Sequence, residues 1–137
     1  MKQTLSLITL VVDDYDTAIA HYTGDLGFAL LEDTDLGDGK RWVRVAPPGS
    51  QETGLLLAQA SDDAQRARIG DQTGGRVGFF LQTDDFWRDY QAMTARGVTF
   101  LEAPREESYA TVVVFRDLYG NRWDLLQPQT PSNRTIP

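Results

Sequence analysis

The chain has no cysteine and a single histidine in 137 residues. Without cysteine there is no disulfide, no thiolate metal ligand and no thiol nucleophile, so any metal has to be held by His, Asp, Glu or Gln. No apolar run approaches the roughly 18 residues of a membrane span. The opening "MKQTLSLITLVVDDYD" meets acids too early for a secretory signal with a cleavage site, and a cytoplasmic protein with no membrane partner is expected. Basic residues are also scarce: 13 Lys and Arg against 20 Asp and Glu leave a formal charge of −7. That balance argues against nucleic acid, whose phosphates need clustered cations, and favours neutral or cationic partners. No Gly-rich phosphate loop and no Ser-His-Asp set is present, and Ser108 has no evident base, which counts against covalent catalysis.

What remains is enough for one globular domain over residues 1–137, with 41% hydrophobic and 24% charged residues. "LSLITLVV" is β-rich and ends at Asp13-Asp14, where an acid caps a helix marked by Tyr15, Ala18, Ile19 and Tyr22 and ended by Gly24 or Gly27. "FALLED" reads as a short strand, "DTDLGDGK" as a turn, and "RWVRVA" with "TGLLLAQ" as a hairpin around "PPGSQE". The same order then recurs. Asp13-Asp14 falls on Asp84-Asp85, Leu30-Leu31-Glu32 on Phe100-Leu101-Glu102 after a one-residue gap, and Gln59 on Gln127, while the second helix carries its own stripe at Phe86, Tyr90 and Met93. The expectation is an α+β protein of two repeated β-α-β-β-β modules, residues 4–60 and 76–128, joined by a linker, 61–75, with a short helix and a Gly-Gly pair. The tail "QTPSNRTIP" is expected to fray.

Three segments, "DDYDTAIAHYTGDLGF", "ARGVTFLE" and "FRDLYGNRWDLLQP", resemble signature stretches of the vicinal oxygen chelate superfamily. Its members include glyoxalase I, bleomycin-resistance proteins, fosfomycin-modifying enzymes and extradiol dioxygenases. The resemblance spans about residues 4 to 128 and implies two curved sheets forming a cleft, a homodimer with sites near its interface, and metal ligands on the first and fourth strands of each module. Those four positions fall here on Leu7, Leu56, Gly78 and Asp124. Only Asp124 can ligate, and a transition metal normally needs three protein donors, so no cofactor and no ordinary metal site are expected.

Asp124 interrupts an otherwise apolar strand. If it faces the cleft, Arg122 and Leu126 share its side while Trp123 and Leu125 turn to the helices. Its carboxylate is then a recognition group or one half of a salt bridge with Arg122 or Arg44. Trp42 and Arg44 alternate with Val43 and Val45 and offer an aromatic and a cation for stacking on a planar ligand. Tyr109 precedes Ala110, where the resemblance implies Gly. Phe80 and Phe115 are more in keeping with core than with a ligand box. His21 is assigned a packing or interface role, and Trp87 a dimer contact or an exposed position. The candidate ligand-binding set is therefore Trp42, Arg44, Phe80, Tyr109, Arg122 and Asp124. The function that follows is metal-independent binding of a small, planar or cationic molecule, as in resistance proteins that sequester a drug. A metal-dependent lyase, isomerase or dioxygenase with an atypical site is the alternative.

Overall fold

The first strand, Leu7–Val12 (β1), buries Leu10 and Val12 and stops where Asp14 takes over. The Asp14 carboxylate accepts the Thr17 amide at 2.9 Å and so starts the helix Tyr15–Ala20 (α1). The helix widens into a π turn over His21–Asp25, and Gly27, at φ +78, supplies the left-handed residue that reverses the chain. Ala29–Gly37 (β2), Lys40–Ala46 (β3) and Gly54–Gln59 (β4) complete a sheet of order β1-β4-β3-β2, with β1 and β4 parallel. The computed structural model describes residues 1–129, so the tail beyond Gln129 lies outside the described residues.

Strand β2 is longer than the apolar pattern predicts. The "DTDLG" expected in a turn continues the ladder, and the reversal is confined to Asp38-Gly39. Cross-strand charge explains it: Asp33 takes two hydrogen bonds from Arg41, at 2.7 and 3.1 Å, which makes polar residues acceptable in an exposed ribbon. After the short helix Asp63–Arg66 (α2), the linker fastens the free edge of β1. The side-chain amide of Gln72 accepts from Val11 N–H at 2.9 Å and donates to the Thr9 carbonyl at 2.5 Å, replacing a neighbouring strand.

The second half repeats the plan with Val77–Gln82 (β5), Phe86–Ala95 (α3), Thr99–Phe100 (β6), Arg105–Glu106 (β7), Ala110–Arg116 (β8) and Arg122–Pro128 (β9). Its sheet order is β5-β9-β8-β6, with β7 also on β8. The strand equivalent to β2 is broken into β6 and β7 around Pro104, which has no N–H to give a ladder. The repeat extends to single hydrogen bonds. Gln59 Oε1 accepts from Tyr15 N–H at 3.4 Å, and Gln127 Oε1 accepts from Phe86 N–H at 2.9 Å, each tying a last strand to the start of its helix.

One apolar cluster joins the halves. Tyr22 and Phe28 from the first half meet Trp123 at ring-centroid distances of 6.0 and 5.7 Å, and Phe79 and Phe115 stack on the same indole. A buried polar node crosses the same joint. Asp117, 3% exposed, accepts from Tyr22 Oη at 2.7 Å, from Asn121 Nδ2 at 2.9 Å and from the Tyr119 and Asn121 amides at 2.9 Å. Burial, then the Asp117 carboxylate, push the Tyr22 phenol well above its ordinary range. His21 packs here as expected: Nε2 accepts from Leu118 N–H at 3.0 Å and Nδ1 faces Asp25 at 2.9 Å.

Candidate ligand-binding site

Each sheet turns one face to the shared core, and strand alternation decides what the other face presents. In β9, Trp123 and Leu125 are buried, so Arg122, Asp124 and Leu126 point away from the core. The register sets Phe80 of β5 on one side of Asp124 and Val114 of β8 on the other. Phe80 is 65% exposed and belongs to this outer face, which corrects its expected place in the core; Phe115, by contrast, is fully buried.

Asp124 is unusual. Its Oδ1 is closed off from solvent and has no hydrogen-bond partner among the described residues. Burial is the main influence on its acidity and raises it above the usual aspartate range; Arg105 pulls the other way and Glu102 adds to the rise. The salt bridge considered from sequence is not formed with either arginine. Arg44 Nε instead donates to Glu32 at 3.0 Å, and Arg122 is exposed with no ion pair among the described residues.

The cation nearest in influence, Arg105, was not anticipated. It donates from Nε to both oxygens of Glu102 at 3.1 Å and from Nη1 to Glu107 at 2.7 Å. Glu102 also accepts the Val114 amide at 3.0 Å, bracing β8. Arg105 is thus committed to two acids and leaves the Asp124 oxygen unpaired. The sequence signal was the alternation of charge in "EAPREE", which places Glu102 and Glu107 within reach of one guanidinium. Tyr109 is 60% exposed, and Ala110 is buried at the start of β8, with Glu107 N–H donating to its carbonyl at 2.9 Å.

Trp42 and Arg44 occupy the equivalent outer face of the first sheet, opposite the buried Val43 and Val45, with Thr34 and Glu32 across from them on β2. Trp42 is 37% exposed. The candidate residues therefore fall into two groups on two sheets, Trp42 and Arg44 on one, Phe80, Arg122 and Asp124 on the other with Tyr109 beside them. Among the described residues no hydrogen bond, ion pair or ring contact links the groups. Trp87 is exposed at 47%.

A metal at the positions implied by the resemblance does not fit the donors present. Leu7 aligns with Gly54 and Thr9 with Leu56, while Asp124 lies between Phe80 and Val114. At Gly78 an added Cβ would sit 2.6 Å from the Thr73 side chain, so the position is closed to a larger residue unless Thr73 moves. Among the described residues no three His, Cys, Asp or Glu side chains are grouped as a metal site requires.

Two cavities of about 760 and 740 Å³ lie where residues 47–49 of the β3–β4 connection approach Leu81–Asp84. The second reaches Phe80, but neither is lined by Asp124, Arg122 or Trp42.

This paired-module fold has known relatives. The chain matches the family model of the Glyoxalase/Bleomycin resistance protein/Dioxygenase superfamily over residues 4–125 and belongs to that superfamily. It is 56% identical over 128 residues to an uncharacterized protein of Shewanella frigidimarina (strain NCIMB 400), covering 93% of this chain and 95% of that one. Among solved structures, UcmS2 is similar at 30% identity and a TM-score of 0.79, covering 92% of this chain and 98% of its own. TnmS3, an antibiotic binding protein from Streptomyces sp. CB03234, is similar at 29% identity and a TM-score of 0.74, covering 94% and 98%.

Proposed function

We propose that the protein binds a small, planar, cationic molecule on the outer face of β5, β9 and β8 and does so without a metal. The observation that carries this reading is the Asp124 carboxylate, whose inner oxygen is buried and has no hydrogen-bond partner among the described residues. Burying such a group without a hydrogen bond is costly, and a bound cation removes that cost by a charge-assisted bond. Phe80 and Tyr109 supply exposed aromatic surface nearby. The antibiotic binding protein TnmS3, at 29% identity, supports a sequestering role. Isolation of the two candidate groups on separate sheets supports a second element of the reading: a two-fold homodimer brings Trp42 and Arg44 of one copy toward Asp124 of the other.

Two measurements test these elements. Protein purified without a His tag is expected to contain well under one transition metal per chain, and added Zn²⁺ or Ni²⁺ is expected to leave its melting temperature unchanged, since a ligand of the native state stabilises by mass action. Stoichiometric metal lost on Asp124→Ala overturns the metal-free reading in favour of the atypical-site lyase, isomerase or dioxygenase. Light scattering at micromolar concentration is expected to give twice the 15.3 kDa chain mass. A chain that stays monomeric at high concentration removes the second sheet from the site.

A further inference from the structure

Arg116 and Arg122 close the β8–β9 hairpin as directly paired residues. Phe115 and Trp123 are buried, so both arginines project from the outer face, the same face as Asp124. Both are exposed, and among the described residues neither reaches a carboxylate, whereas Arg41, Arg44, Arg88 and Arg105 are each held by one or more acids. Like charges directly opposite on a sheet are destabilising. With 20 acids against 13 basic residues, the chain has carboxylates to spare for neutralising them. None does so here, although Asp124 is two residues from Arg122, about 7 Å along the strand by the usual rise. Two guanidinium forks side by side match the oxygens of a single oxyanion.

We propose that Arg116 and Arg122 form an anion subsite at the turn end of this face, so that the ligand is a planar molecule with a cationic group at Asp124 and a carboxylate, sulfonate or phosphate directed to the arginine pair. This rests on the reading of the face as a ligand site and adds a zwitterionic ligand class to it. The two subsites lie along one strand pair, which fixes the order of the two charges on the ligand.

The test uses two dyes that differ in one charge: rhodamine 110, with a planar cationic ring system bearing N–H donors and a free carboxylate, and its methyl ester, rhodamine 123, in which that carboxylate is masked. Fluorescence anisotropy on the full chain is expected to show rhodamine 110 binding about tenfold or more tightly than the ester, the size of one charge-assisted hydrogen bond. In the Arg116→Gln/Arg122→Gln double variant this preference is expected to vanish, the two dyes then binding with equal affinity. Relief of the like-charge pair also raises the melting temperature, so a loss of preference is not a loss of fold. In Asp124→Asn both dyes are expected to weaken together. Equal binding of the two dyes to the wild type, or a preference that survives the double variant, overturns the anion subsite and leaves the cation site standing. Unchanged binding of both dyes in Asp124→Asn overturns the ligand-site reading beneath it, and failure of both dyes to bind overturns both. A double variant that falls apart into monomers with its dye preference intact assigns the arginines to a contact between copies and likewise overturns the subsite.

Discussion

Asp124 carries opposite consequences for stability and for binding, and the two separate by pH. Its acidity is weakened chiefly by burial, so the folded chain holds that proton to a higher pH than the unfolded chain does. A raised folded value means that the contribution to stability is fully present below the unfolded pKa and is lost as pH rises through the folded one. Asp124→Asn removes this dependence. The variant minus wild-type difference in denaturant midpoint should therefore become more favourable to Asn as pH rises through the upper carboxylate range. At neutral pH the Asn variant should be as stable as the wild type or more so. Because no arginine is bonded to Asp124, the substitution strands no buried cation. A large loss of stability at neutral pH would show that the carboxylate has a partner in solution. Asp14, Glu32, Asp33 and Asp89 are shifted the other way by hydrogen bonds and nearby arginines, which makes the difference between variants, not the raw curve, the informative quantity.

At the scale of elements, Gln127 shows how a strand sets a helix in place. Its Oε1 accepts the Phe86 amide and its Nε2 donates to the Asp84 carbonyl, both at 2.9 Å, while Asp85 accepts the Arg88 amide. Gln127→Ala is expected to cost about 1–2 kcal/mol, the usual net worth of one to two neutral hydrogen bonds, read as a lower denaturant midpoint with an unchanged m-value. Gln59→Ala should cost less, because its bond to Tyr15 is longer at 3.4 Å. A larger effect at Gln59 would contradict this. These elements were legible in sequence because their signals are local: the Asp-Asp caps, the helical stripes and the repeated Gln all lie within a few residues of what they specify. The length of β2 was not, since it depends on Arg41 reaching Asp33 across the ladder. The outward turn of Phe80 was not either, because residue type favours burial while strand parity decides it. Asp117 and Arg105 were missed for a similar reason. One is tied to a residue 95 positions away, and the other acts through neighbours in a segment whose strand is interrupted by a proline.

Over the whole molecule, the two halves share a core built on Tyr22, Phe28, Phe115 and Trp123, and this arrangement leaves both outer faces available. The superfamily uses such faces for varied chemistry, so the residues on them, not the fold, decide function. At the positions where the resemblance implies metal ligands stand Leu7, Leu56, Gly78 and Asp124, and one oxygen of Asp124 is closed off from solvent without a hydrogen-bond partner among the described residues. Under the proposed function this carboxylate binds a cation with no metal between them. The direct test is titration of metal-stripped wild type and Asp124→Asn with rhodamine 123, in the presence of a chelator and at neutral pH. Binding is expected to be indifferent to the chelator and weaker in Asp124→Asn by about 10- to 150-fold, the equivalent of about 1.5 to 3 kcal/mol. Binding that appears only when a divalent metal is restored, or that is equal in the two proteins, would contradict it.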